Sequence, residues 1–285
     1  MILPGSASQS LAASLAAELD AEVGPVEYDR FPDGELLVRA PASGERAIVV
    51  ASTVDSDAHV QLLQLQDVAR QHFDRVTTVI PYLGYARQDR AFREGDPVSA
   101  RAMARAISTT TDRVVTVTPH EEAVCNFFDV PTESVDASPL LADPLPADLD
   151  EPLFLAPDES ATPLAETVRD AYGAGGVDYF EKARDYDTGE VTLTPSETDV
   201  SGRDVVVVDD IIATGSTMAG AIEHLHAERV ARVYATCVHP MLAANARAKL
   251  ARAGVAAVYG TDTVERAESA VSAASVLAPA VADAR

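Results

Sequence analysis

Two adjacent carboxylates, Asp209 and Asp210, follow four consecutive valines at 205–208 and lead into Ile-Ile-Ala-Thr-Gly-Ser-Thr, which ends at Thr217. A β-branched run of this kind suits a strand buried on both faces of a parallel sheet. The acids then fall at its carboxyl end, the edge where open α/β sheets bind ligands. Ala213, Thr214, Gly215, Ser216 and Thr217 make a small-residue turn opening a helix predicted over 218–228. Backbone N–H groups converging at such a turn, with the Ser and Thr hydroxyls, can hold a phosphate without a lysine. The carboxylates would repel a phosphate and accept from hydroxyls, so the group beside them should resemble a ribose. Together these residues read as a sugar-phosphate site. The Thr-Gly-Ser-Thr turn alone reads equally as an ordinary capped helix, and the paired acids set it apart.

Further groups carry chemistry elsewhere. The segment 82–99 holds Arg87, Gln88, Arg90 and Arg93 together with Gly95 and Pro97. Guanidinium forks match phosphate oxygens, and a long Gly- and Pro-containing loop can close over a nucleotide. A surface salt-bridge loop has the same composition, so both readings stand. His120 follows a strand predicted at 114–117, and Asp158 follows one predicted at 153–156. An imidazole and a carboxylate at strand ends could hold, partly through water, the Mg2+ that a nucleoside triphosphate carries. A lone His is more often structural, and position rather than identity singles out His120. Lys182 and Arg184 close a further strand, and residues two apart in an extended segment share a face, so both cations can reach one anion. Lysine occurs only at 182 and 249. Keeping it at 182 in a chain that otherwise uses Arg marks a place for a compact ammonium, with a surface pair as the plainer alternative.

The elements that must position these residues alternate. Helices are predicted at 8–19 and 58–73 and strands at 36–39, 48–52 and 76–80, the pattern of a mainly parallel α/β sheet flanked by helices. The strand, loop and helix that begin at Ile48 match in spacing those that begin at Val205, and Pro81 and Pro240 close the strands that follow. Two related domains follow from this, with the sugar-phosphate loop in the second only; common loop lengths could produce the same spacing by chance. A proline- and acid-rich segment at 143–152 reads as a linker between domains at 1–142 and 153–267. The alanine-rich end, 265–285, reads as a helix that can pack on the first domain, over about 268–285. A length of 285 residues suits two such domains.

The formal charge of -23 is spread along the chain. It disfavours nucleic acids and anionic membranes as partners, and with so little lysine it resembles the composition of proteins from salt-accumulating halophiles. Cys125 and Cys237 lack metal or disulfide spacing. With no signal-peptide signature and no apolar run long enough to cross a bilayer, the expectation is a soluble, cytoplasmic protein.

Taken together these segments resemble the phosphoribosyl-pyrophosphate synthetases (ribose-phosphate diphosphokinases), of the halophilic archaeal type, over nearly the whole chain. The resemblance rests on Phe-Pro-Asp-Gly-Glu at 31–35, Tyr-Ala-Arg-Gln-Asp-Arg at 85–90, Pro-Val-Ser-Ala at 97–100, His120 with Phe-Phe-Asp-Val-Pro at 127–131, Pro157-Asp158, Lys182-Ala183-Arg184 and the loop at 205–218. It implies two tandem type I phosphoribosyltransferase-like domains. It further implies transfer of a diphosphoryl group from ATP to ribose 5-phosphate in a homo-oligomer, at least a dimer, with the ATP site at the subunit interface. Phe31, Asp33, Gly34, Glu35, Arg87 and Gln88 would bind ATP; Arg184, Asp209, Asp210 and 213–217 would bind ribose 5-phosphate. His120 and Asp158 would hold Mg2+, and Lys182 and Arg184 would act in catalysis. The chain departs from the family at Thr118-Pro119, where Asp-Leu is frequent, at Ala213, and at Ser216, where a second glycine is frequent. A nucleobase phosphoribosyltransferase and a nonenzymatic regulatory paralogue are the alternatives.

Overall fold

The computed structural model describes residues 1–184, 191–195 and 198–282, with the backbone alone for 182–184 and 191–195. The chain forms two compact units. Met1–Ala137, Asp262–Glu265 and Ser272–Arg285 make the first, and Ser138–Thr261 with Arg266–Val271 make the second.

The first unit runs β1 (Ile2–Pro4), α1 (Gln9–Glu18), β2 (Glu27–Arg30), β3 (Leu36–Arg39), β4 (Gly44–Val50), α2 (Ser56–His72), β5 (Phe73–Ile80), α3 (Ser99–Ile107), β6 (Arg113–Val117) and β7 (Thr132–Val135). Its sheet is parallel throughout, in the order β1-β4-β5-β6-β7. The helix α2 lays Leu62, Leu65 and Ala69 against Val49, Val76 and Val114, and each buried leucine contributes about 1.5–3 kcal/mol. Asp55 caps it, accepting from Ala58 N at 2.8 Å. The segment 31–35, expected as a loop before one strand, is instead the tip of the antiparallel hairpin β2–β3. The polar sequence Glu-Tyr-Asp-Arg at 27–30 carries no strand periodicity and pairs only because β3 lies beside it.

The second unit runs β8 (Leu153–Ala156), α4 (Thr162–Tyr172), β9 (Gly176–Arg184), β10 (Val191–Pro195), β11 (Asp204–Ile211), α5 (Ser216–Ala227), β12 (Arg232–His239), α6 (Ala246–Ala253), β13 (Ala257–Thr261) and β14 (Ser269–Val271). The sheet order is β10-β9-β8-β11-β12-β13-β14, parallel except for β10. All four valines at 205–208 are buried, as a strand covered on both faces requires. Val205 and Val207 pack with Ile222 and Leu225 of α5 and Leu250 of α6, while α4 lies on β8, β9 and β11.

The described residues end in α7 (Ala274–Ala282), which packs on α1 within the first unit. The helix expected from 265 therefore begins nine residues later. Strand β14 pairs with β13, and the Glu265 carboxylate accepts from the amides of Ser10 and Leu11 at 2.6 and 3.1 Å, capping α1. Tertiary pairing overrides alanine's helix preference there.

Candidate active site

In the second sheet the chain leaves β8 toward β9 on one side and returns as β11 on the other, so the strand order reverses between β8 and β11. A crevice opens at the carboxyl ends of strands at such a point. Pro157 and Asp158 follow β8 there, and Asp209 and Asp210 lie near the end of β11. Pro157, Phe180, Val207, Asp209, Thr217 and Met218 line a small hollow at this edge. Both aspartates are half-buried. Asp209 Oδ1 accepts from Asp210 N at 2.9 Å and Asp210 Oδ1 from Ile211 N at 2.8 Å, which orients the two carboxylates from their own backbone.

The turn 213–217 leads directly into α5. Gly215 is its N-cap, in the left-handed conformation (φ 68) and without a side-chain cap. Among the described residues none accepts from the amides of 213–217. Ser216 and Thr217, expected in the turn, already form the first helical turn, so their amides are two of the helix's unpaired N-terminal donors. The corresponding loop of the first unit, 51–55, ends in a carboxylate: Asp55 fills the N-terminus of α2 with a built-in anion. At the N-terminus of α5 the N-cap Gly215 has no side chain to supply such an anion.

A short segment backs the turn. Leu242 N donates to Ile212 O and Ala243 N to Ala213 O, both at 2.9 Å. Lys249 Nζ donates to Thr214 O at 3.2 Å and to Ser216 Oγ at 2.7 Å. A Cβ on Gly215 would meet Ala246 Cβ at 3.3 Å. Leu242 and Ala244 have φ of 44 and 54, and holding non-glycine residues there costs about 1–3 kcal/mol each. The one sequence signal for Lys249 is its rarity, since lysine occurs only there and at 182.

Strand β9 pairs with β8 as far as Ala156–Tyr179 and then carries Lys182 and Arg184 past the end of β8, opposite β10 through Lys182–Leu193 and Arg184–Val191. Their side chains lie outside the described residues.

In the first unit three loops share the carboxyl edge of the sheet. Arg30 pairs with Asp57 at the start of α2 (2.5 Å) and donates to Gly34 O (2.6 Å), tying the hairpin tip to that edge. Gly34 (φ 96) turns the tip, Glu35 N donates to Asp33 Oδ1 at 3.2 Å, and Phe31 is 47% exposed, an open ring face able to stack on a base. The loop after β5 is anchored by Gly84 N, which donates to Thr53 Oγ1 at 2.8 Å. Arg87 is exposed with no acidic partner among the described residues. Gln88 is used by the fold: its amide donates to Pro97 O at 3.3 Å and accepts from Ser99 Oγ at 2.6 Å, closing the loop onto α3. His120 is exposed after β6. Thr118, where the family often has an acid, has φ 34 and accepts from Ala137 N through its hydroxyl at 3.0 Å.

The structure thus gathers Asp158, Asp209, Asp210, 213–217 and the strand bearing Lys182 and Arg184 at one edge of the second sheet. Phe31, Asp33, Gly34, Glu35, Arg87, Gln88 and His120 belong to the first unit. Among the described residues no three metal-binding side chains cluster. Magnesium is held through one or two protein groups plus substrate phosphates, and a carboxylate such as Asp158, with Ser160 Oγ donating to it at 2.6 Å, fits that manner of binding. Both cysteine thiols are free, and burial raises each.

Comparison with known proteins places the chain. Residues 1–110 match the N-terminal domain of ribose phosphate pyrophosphokinase and residues 141–272 the phosphoribosyl transferase domain. The chain is 60% identical to the ribose-phosphate pyrophosphokinase of Halobacterium salinarum, covering 100% of both. It is 42% identical to that of Methanosarcina mazei, over 98% of this chain and 94% of the relative. The crystal structure of phosphoribosylpyrophosphate synthetase from Mycobacterium smegmatis superposes with a TM-score of 0.83 at 28% identity, covering 99% of this chain and 97% of that one. With both domains matched and full-length relatives at this identity, the chain belongs to the ribose-phosphate pyrophosphokinase family.

Proposed function

We propose that the protein transfers the β,γ-diphosphoryl group of ATP to O1 of ribose 5-phosphate, giving 5-phosphoribosyl 1-pyrophosphate and AMP. The observation that carries this reading is the uncapped amide turn at 213–217 beside Asp209 and Asp210, at the switch point of a sheet whose family makes this product. The sugar's 5-phosphate sits on the turn, and the two carboxylates accept from the ribose hydroxyls, fixing the attacking oxygen. O1 attacks the β-phosphorus, the bond from that phosphorus to the α,β-bridging oxygen breaks, AMP leaves with the electron pair, and the O1 proton is released. Lys182 and Arg184 stabilise charge on the transferred group, since such transfer depends mainly on positioning and electrostatics. His120 and Asp158 would each offer a contact to the Mg2+ that the triphosphate carries, and that ion would supply charge neutralisation.

Phe31, Asp33, Gly34 and Glu35 hold the adenosine and Arg87 the phosphates, with Gln88 keeping Arg87's loop closed. The exposed Phe31 tip supports an ATP site shared between subunits of a homo-oligomer, at least a dimer, in the cytoplasm. No helix among the described residues is long and apolar enough to cross a membrane.

The test is AMP formation from ATP, ribose 5-phosphate and Mg2+ with no nucleobase present. AMP and phosphoribosyl pyrophosphate should appear in equal amounts. A nucleobase phosphoribosyltransferase or a nonenzymatic paralogue would form neither.

A further inference from the structure

The carbonyls of Ile212, Ala213 and Thr214 all turn toward one segment, accepting from Leu242 N, Ala243 N and Lys249 Nζ. In a planar trans peptide the C=O and the next residue's N–H point in opposite directions. The amides of 213, 214 and 215 therefore turn to the other side, making the concave donor set that receives a phosphate. Two of the three carbonyls are held by backbone. The third, closest to the helix, is held by a side chain.

The same ammonium donates to Ser216 Oγ at 2.7 Å. A hydroxyl that accepts from an ammonium keeps its own proton to give elsewhere. Its outlets are Thr214 Oγ1, at 3.5 Å, and an anion in the turn. One of only two lysines in the chain thus meets a serine that stands where the family often has glycine.

We propose that Lys249 is a positioning residue for the phosphate turn. It fixes the Thr214–Gly215 peptide so that the Gly215 amide faces the sugar's phosphate, and it makes the Ser216 hydroxyl a donor toward the same anion. The role rests on the ribose 5-phosphate reading of the turn. It explains how a turn with serine in place of the second glycine keeps its donors converged.

Lys249 is half-exposed at the lip of an open cleft of about 270 Å³, lined also by Ser216, Gly220, Glu223 and Arg252. Removing its ammonium therefore takes nothing from the core.

The experiment titrates ribose 5-phosphate, without ATP, into the full-length protein and into Lys249→Met, Lys249→Arg and Ser216→Ala, with steady-state kinetics and melting curves alongside. Lys249→Met should weaken ribose 5-phosphate about ten-fold and raise its KM in parallel, with kcat and the KM for ATP unchanged. Lys249→Arg should recover most of the affinity, and Lys249→Met should cost less in the Ser216→Ala background. Unchanged affinity in Lys249→Met, or equal losses for both substrates, overturns the role. Should Lys249→Met lose its melting transition, Ser216→Ala decides, because full affinity there removes the hydroxyl from binding. Wild-type protein that takes no ribose 5-phosphate would remove the substrate reading itself. Wild-type binding that survives Lys249→Met undiminished removes only Lys249.

Discussion

Asp209 shows how one residue can favour a sugar and disfavour the phosphate attached to it. Its carboxylate is oriented by Asp210 N at the end of a buried strand, and on the proposed reading it accepts from a ribose hydroxyl. A hydrogen bond to a charged acceptor is worth about 1.5–3 kcal/mol. Its negative charge meanwhile repels any phosphate on the neighbouring turn, by an amount that the solvent at this half-buried edge reduces. The two effects predict opposite outcomes for two ligands. Asp209→Ala should raise the KM for ribose 5-phosphate about thirty-fold, equivalent to about 2 kcal/mol, while inorganic phosphate binds the variant as well as or better than wild type. Calorimetry with each ligand checks both. Parallel weakening of both ligands would place Asp209 in support of the turn rather than on the sugar.

At the scale of elements, each sheet ends in loops held from behind. Gly84 opens the loop carrying Arg87, and a Cβ there would lie 2.2 Å from Thr53 O, a contact only a shift of the loop can relieve. Gly84→Ala should therefore raise the KM for ATP more than that for ribose 5-phosphate and lower the melting temperature; equal effects on both substrates would show that the loop does not serve the nucleotide. A second device ties β11 to its neighbours. Asp204, with its side chain 2% exposed, takes two bonds from Arg232, at 2.9 and 2.6 Å, and one from Asp150 N at 2.8 Å. The Arg232 hydrogen bonds hold its carboxyl below the usual carboxylate range. A depressed carboxylate stabilises the fold above its unfolded pKa, and that contribution disappears as pH falls through the lower folded value. Asp204→Asn should cost about 2 kcal/mol at neutral pH, allowing for the partial exposure of Arg232. The gap from wild type should close below about pH 4, as denaturant titrations at several pH values can measure. The sequence revealed the parts of this arrangement that are local. An all-valine strand, two acids and a turn of small residues lie within 205–217 and can be read by period and chemistry. The hairpin strand β2 is too polar to show a period, and β14 exists only by pairing with β13. The segment backing the turn, 242–249, meets it across some thirty residues through backbone carbonyls and one lysine, which no spacing rule marks. Gln88 was legible as a loop residue, but the bonds that close its loop onto α3 were not.

The whole molecule carries 45 acids against 22 bases, a formal charge of -23. Several of its ion pairs, including Arg30–Asp57, Arg39–Asp29 and Arg75–Glu45, are exposed, and such pairs contribute about 0–1 kcal/mol each and weaken in salt. Two like charges 10 Å apart in water repel by roughly 0.4 kcal/mol before screening. The uncompensated acids form many such pairs, so repulsion outweighs the few attractions that salt also screens. Raising the ionic strength from about 0.01 M to 1 M shortens the Debye length from about 30 Å to 3 Å. The melting temperature should therefore climb steeply over the first few hundred millimolar KCl and then flatten. An effect of solute exclusion would instead keep growing and would be larger with sulfate. Replacing exposed acids such as Glu18, Asp20 and Glu22 with their amides, together with others like them, should raise the low-salt melting temperature and flatten the steep phase; an unchanged slope would remove charge repulsion as the cause. The same field acts on the substrates, both of them polyanions approaching an acidic surface. Salt ordinarily weakens phosphate binding at cationic sites by competition. Here the local donors are uncharged amides within a negative surround, so moderate KCl should lower the KM for ribose 5-phosphate, and a KM that rises from the lowest salt upward would mean that the cations near the turn, not its amides, dominate capture.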